Sequence, residues 1–223
     1  MIRLIAVALA VVCVHAEALT EILAHMDRDS KEFRSMTAKL KQIDYTAVID
    51  ESAEKSGEVR LKRTKNGSVV LVQFQQPEPQ TVFFDGKQGR IYYPKANTVD
   101  VLEVGKYAHK IDVDQVLLLG FGTSGAELTK SYSIKALGVE RIGGVSTTHL
   151  QLIPKSSELL KYVTQFELWI PEGMSAPVQE KATQPSKNYS LFVYSDLMLN
   201  PKLPDSAFEL KLPPGVRTVY PGK

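Results

Sequence analysis

The stretch Gly57–Phe74, "GEVRLKRTKNGSVVLVQF", decides the fold. Two runs of alternating character flank Asn66-Gly67, a dipeptide suited to a tight turn, so the stretch reads as a β-hairpin. Side chains alternate between the two faces of a strand. Val59, Leu61 and Arg63 therefore share one face, and Glu58, Arg60, Lys62 and Thr64 share the other, wet one. Arg63 is the exception, a cation in register with the apolar side.

Outward from this hairpin, period two predicts strands at Tyr45–Asp50, Glu58–Lys65, Val69–Gln75, Thr81–Asp85, Arg90–Tyr93 and Val99–Val104. Turn signals at Ser56-Gly57, Pro77 to Pro79, Asp85-Gly86 and Pro94 separate them, which describes an antiparallel meander. The segment "IDVDQVLLLGFGTSGAELTKS" interrupts it as a short apolar helix, a glycine-rich joint and a second short helix. Alternation then resumes at Ser133–Arg141, Thr147–Ile153, Gln165–Ile170, Val178–Thr183 and Tyr189–Ser195, and the chain closes with "FELKLPPGV" from Phe208. Ahead of the strands, Leu19, Ile22, Leu23, Met26, Phe33, Met36 and Leu40 recur at helical spacing and predict one amphipathic helix of about six turns. The expected fold is mainly β (α+β), a single domain over residues 17–223. It has about ten or eleven strands, with three helices covering one sheet face.

The first residues carry a different message. Arg3 precedes an apolar run of eleven residues, Leu4 to Val14, and Val14-His15-Ala16 forms a small-x-small cleavage pattern. Residues 1–16 thus read as a signal peptide, and the run is short of the roughly 20 residues that a spanning helix needs. Cys13, the sole cysteine, follows Val12 where a lipoprotein signal would carry Gly or Ala, and it departs with the signal. The expectation is an exported, periplasmic protein without disulfides or thiolate chemistry. The 27 basic and 25 acidic residues are scattered, so no polybasic tract points to nucleic acid.

Catalytic motifs are weak. Gly120, Gly122 and Gly125 fit G-x-G-x-x-G, with Glu140 near the position of a ribose-binding acid, but that fingerprint requires parallel βαβ units and the flanks are hairpins. A flexible joint fits better. Ser124 lacks the glycine of a nucleophile elbow, since Ala126 stands there. His25, His109 and His149 lack the paired spacing of metal ligands. No enzyme activity, cofactor or metal is expected.

What stands out is apolar surface. By parity Val59 and Leu61 are joined by Val70, Val72 and Phe74, then Val82 and Phe84, then Ile91 and Tyr93, with Phe166, Leu168 and Ile170 from later strands. Either these pack as a core, or they line a cavity closed by Leu117, Leu118, Leu119 and Phe121 and by a long helix bearing Met26, Phe33 and Met36. Periodicity leaves both readings open.

Over "GEVRLKRTKNGSVVLVQFQQPEPQTVFFDGKQGRIYYPKANTVDVLEV" the chain resembles the LolA family of periplasmic outer-membrane lipoprotein carriers. The resemblance rests on Lys62-Arg63 at a strand end, the Pro77-Glu78-Pro79 and Asp85-Gly86-Lys87 turns, Tyr93-Pro94, "DQVLLLGFG" and the terminal "LPDSAFELKLPPGV". It implies a half-open antiparallel β-barrel with a helical lid over a cavity for lipoprotein acyl chains. It also implies partners: an inner-membrane ABC transporter that delivers cargo and a LolB-like outer-membrane receptor. The carrier is expected to be a monomer. An arginine matching Arg63 would latch the lid through hydrogen bonds. Thr64, where the family often has proline, and Ile91 or Tyr92, where it has tryptophan, are departures. A lipid-binding or stress-sensing envelope protein of the same fold is the alternative.

Overall fold

The computed structural model describes residues 19–65, 67–103 and 119–221. The signal-peptide reading, Cys13, Asn66, Val104, the short helix expected near Ile111, Leu117 and Leu118 lie outside them. Two compact units form, one from Phe33–Leu117 with Ser190–Lys223, the other from Met1–Glu32 with Leu118–Tyr189.

The first unit contains β1 (Ser35–Thr46), β2 (Glu51–Thr64), β3 (Gly67–Gln76), β4 (Gln80–Phe84), β5 (Gln88–Tyr93) and β6 (Thr98–Glu103). Most of β11 (Tyr189–Leu199) and all of β12 (Arg217–Val219) belong to it too. The hydrogen-bonded order is β12-β6-β5-β4-β3-β2-β1-β11. β1 to β6 pair as an antiparallel meander, and β12 lies parallel to β6. The hairpin at Gly57–Phe74 has the expected register, with Val59 opposite Val72 and Leu61 opposite Val70.

Two expectations fail around it. The long helix stops early: residues 19–32 are helical (α1), and Met36 and Leu40 belong to β1, not to a helix. Their spacing of four suits a helix, but Ser35-Met36-Thr37-Ala38-Lys39-Leu40 also alternates, and twelve Cα pairs with β2 settle the matter. Asn200, in the left-handed region at φ 59°, helps fix the corner by accepting from the Arg34 N–H at 2.7 Å through Oδ1. The predicted strand Tyr45–Asp50 is likewise wrong, because β1 ends at Thr46 and residues 47–50 form a turn into a β2 that begins at Glu51.

On one face of this sheet Met36, Ala38, Leu40, Val59, Leu61, Val70, Val72, Phe74 and Phe84 are buried. The opposite face is wet at β2 but covered at β3 and β4, where Leu71 and Phe83 form a cluster with Phe208. Phe208 ends a 3₁₀ turn (Asp205–Phe208), so the strand-like reading of "FELKLPPGV" is corrected. Lys62 ties this segment down, donating to the Leu203 carbonyl at 3.0 Å and to Asp205 Oδ1 at 2.7 Å. Burying one Phe side chain stabilises by about 1.5–3 kcal/mol, enough to hold a short strap.

The second unit contains α1, α2 (Gly125–Ser131), β7 (Tyr132–Ile142), β8 (Val145–Pro154), α3 (Ser157–Leu160), β9 (Gln165–Pro171) and β10 (Gln179–Thr183), with strand order β10-β9-β8-β7. Leu150 opposes Leu168, and Leu152 opposes Phe166, giving one continuous apolar face. A bulge between Ala136 and Gly138 shifts the register of β7, and Leu137 and Val139 beside it are exposed. Each unit thus holds a mainly antiparallel sheet with few helices, and the described residues form twelve strands in all. The helix α3 was not legible, because four residues carry no periodicity.

Candidate functional site

The apolar faces are the place to look for function. In the first unit Val59, Leu61, Val70, Val72, Phe74 and Phe84 share one face and are buried, while Val82, Ile91 and Tyr93 on the same face are half-buried. Met36 joins them from β1, opposite Leu61. In the second unit Phe166, Leu168 and Ile170 are buried on β9, together with Met26 and Ile22 of α1 and Leu119 and Phe121 of the glycine-rich segment. Sequence parity therefore grouped the strand residues correctly within each unit. Met36, on β1, and Phe33, one residue past α1, lie outside the helix that the spacing predicts.

Arg63 keeps its parity but is exposed at the end of β2. Its guanidinium carbon lies 5.6 Å from the centre of the Phe33 ring, a cation–π arrangement, and its backbone N–H donates to the Arg34 carbonyl at 2.8 Å. It thus touches the segment where α1 gives way to β1.

The "GFGTSG" joint resolves into packing and capping. Gly120, at φ 86°, lies so close to Pro177 that a Cβ there would sit 2.8 Å from its ring. Ser124 caps α2: its Oγ accepts from the Glu127 N–H at 3.2 Å, while Glu127 Oε2 accepts from the Ser124 N–H at 2.9 Å. The same carboxylate accepts from the Ser124 hydroxyl at 2.7 Å, so the serine is a cap. Ser124→Ala should lower stability by about 1 kcal/mol in urea titration and leave any ligand binding unchanged. Gly125 packs on α1, and the Ala126 N–H donates to Asp27 Oδ1 at 3.0 Å. Together these contacts tie α1 to α2.

One polar network escaped the sequence reading. His149, buried on β8, contacts Glu140 Oε1 through Nδ1 at 2.8 Å and Glu167 Oε1 through Nε2 at 3.1 Å. Its ring stacks on Trp169 at 4.2 Å, and the Trp169 indole donates to Glu140 Oε2 at 2.8 Å. Lys181 completes the chain 3.2 Å from Glu167. Both ring nitrogens of His149 thus have carboxylate partners, and Glu140 is one of them. Register alone could have found it, since His149 and Trp169 are Cα partners.

The Trp169 indole N–H first, and His149 with it, hold the Glu140 carboxyl below its ordinary 4.5. A lowered folded-state value means that Glu140 stabilises the fold above its unfolded pKa and loses that contribution as pH falls through the folded one. The stability gap between the wild-type chain and Glu140→Gln should therefore shrink as pH drops below 4.5. Urea midpoints across an acid series would check it.

In the second unit a cavity of about 230 Å³ sits at the end of α1, lined by Glu21, Ile22, His25, Val139, Thr148 and Met174 among others. That is below the roughly 300–1,000 Å³ of a typical ligand pocket.

Comparison with known proteins now bears on this geometry. The curated proteins yield no match. Among solved structures, an uncharacterised conserved protein from Thermus thermophilus is 12% identical with a TM-score of 0.56, covering 90% of this chain and 98% of that one. MucB is 14% identical at 0.52, over 88% of this chain and 63% of that one. The Mycobacterium tuberculosis lipoprotein LppX is 14% identical at 0.48, over 83% and 98%. The first two share the fold. The family profile for outer membrane lipoprotein carrier protein LolA matches residues 31–211, most of the strands and α2. That match spans well over half of the sequence, and the chain belongs to the LolA family.

Proposed function

We propose that the protein is a non-enzymatic carrier of the cell envelope that accepts the acyl chains of a lipoprotein and conveys them across the periplasm. The observation that carries this reading is the family match over residues 31–211, coupled to apolar faces buried on both units. Among the described residues no helix is long and apolar enough to cross a membrane. An inner-membrane ABC transporter and a LolB-like receptor would be the donor and the acceptor.

The physics suits transfer. An acyl chain gains about 0.8 kcal/mol per buried methylene, so a carrier must offer a site comparable with the membrane and still let go. In this reading α1 supplies the adjustment: cargo enters by displacing the helix, and the contacts of Asp27 and Gly125 favour its return. Arg63, stacked at Phe33, acts on the segment where α1 ends.

Mass spectrometry of the protein purified from its own envelope tests the reading, with co-purifying lipoprotein or lipid expected. Arg63→Leu should fold, since the side chain is exposed, and should change loading or release. Unchanged loading and transfer would remove Arg63 from the mechanism. MucB, which shares the fold, forms a complex with MucA, and this favours one other reading, an envelope protein of this fold that binds a protein. A clean protein partner without lipid would support that instead.

A further inference from the structure

We propose that the β1–β2 hairpin is a finger whose apolar tip, Val48-Ile49, touches the surface of an electrically neutral lipid bilayer. β2 pairs with β3 only from Ser56 onward, opposite Gln76, so Glu51–Lys55 run past the end of β3 with β1 as their partner. On the other flank Ser190, at the start of β11, reaches Asp44 with its hydroxyl at 2.6 Å.

The turn at the end has the wrong chemistry for a mere connection. Turns favour Gly, Asn, Asp, Ser and Pro, yet residues 47–49 are Ala-Val-Ile, with Val48 88% and Ile49 60% exposed. The conformation is fixed: Asp50 sits at φ 53° and its Oδ1 accepts from the Tyr45 hydroxyl at 2.8 Å. Two β-branched side chains are thus held outward on a braced support.

Area and charge select the occupant. A stable protein interface needs about 800 Å² per partner, far more than two side chains on a narrow tip present. A bilayer needs no matching socket and accepts a shallow apolar insertion. Asp50 and Glu51 flank the tip, and the nearest cations are engaged, Lys41 with Glu54 at 2.8 Å and Lys55 with Asp44 at 3.5 Å. The tip therefore suits neutral headgroups and is repelled by anionic ones. This contact requires no cargo, and it stands or falls separately from the carrier reading.

Flotation of the exported chain with phosphatidylcholine vesicles tests it. The wild-type chain should float. Val48→Ser with Ile49→Ser should reduce partitioning at least about tenfold with an unchanged circular dichroism spectrum, since both side chains are in solvent. Val139→Ser, which removes a side chain 68% exposed on β7, should float like the wild type. Vesicles rich in phosphatidylglycerol should bind less at low salt and regain binding as salt rises. No flotation of the wild type, equal flotation of the double variant, or a preference for anionic vesicles would overturn the proposal. So would a photo-crosslinker at position 48 that captures one protein while vesicles capture nothing.

Discussion

Replacing Gly57 with alanine should cost about 3 kcal/mol or more, the upper end of what overpacking does and the largest loss expected from a single added methyl among the described residues. Gly57 is buried at the register shift between Ser56 and Gly57, opposite both Leu40 and Phe74. A Cβ there would collide with the Gln73 carbonyl oxygen and lie 2.7 Å from the Phe74 Cα. Both are main-chain atoms of β3, and no rotamer change can move them. Relief requires prising β2 from β3 along the ladder that carries Val59, Leu61, Val70 and Val72, so the damage spreads through the apolar face. The urea midpoint should fall with little change in slope. A loss below about 0.5 kcal/mol, the range of surface substitutions, would show that β3 can step aside and would sink this account.

Gly125→Val should be nearly as damaging and more informative about function. A Cβ at Gly125 would stand 2.5 Å from the Leu23 carbonyl oxygen and 2.9 Å from the Leu23 Cα and Cβ, so the branched side chain must push α1 outward. Ile22 and Met26, buried on α1, lose packing as it shifts. The expected cost is about 2–3 kcal/mol. If α1 occludes the apolar face of β7–β10, the same substitution should raise the rate at which a fluorescent fatty acid enters. Destabilisation with an unchanged entry rate would mean that α1 is structural and does not gate. Asp27→Ala, which removes only the acceptor for the Ala126 N–H, should act in the same direction more gently.

These two glycines show where residue patterns stop being informative. Gly57 reads in the sequence as part of a turn signal with Ser56, yet it is the point where one backbone passes close to another. Gly125 reads as the last member of a loose glycine motif, yet it is a contact between two helices. In both cases the reason for glycine is a neighbour distant in sequence, Phe74 in one and Leu23 in the other. Ser124 is the opposite case: its partner Glu127 is three residues away, and the capping box is local.

The sequence by itself determined the meander. Alternation is a property of consecutive residues, so the faces of β2 through β5, the grouping of Val59, Leu61, Val70, Val72 and Phe84, and the turn at Asp85-Gly86 follow without knowledge of the rest of the chain. Tertiary structure alone decided whether Met36 and Leu40 belong to a helix or a strand, since both periods fit them and pairing with β2 breaks the tie. It also decided that Phe208 covers Leu71 and Phe83, that β12 runs parallel to β6, and that His149 lies between Glu140 and Glu167. The physical reason is range: periodicity records which side of its own element a residue faces, whereas packing depends on partners that only the folded chain brings together.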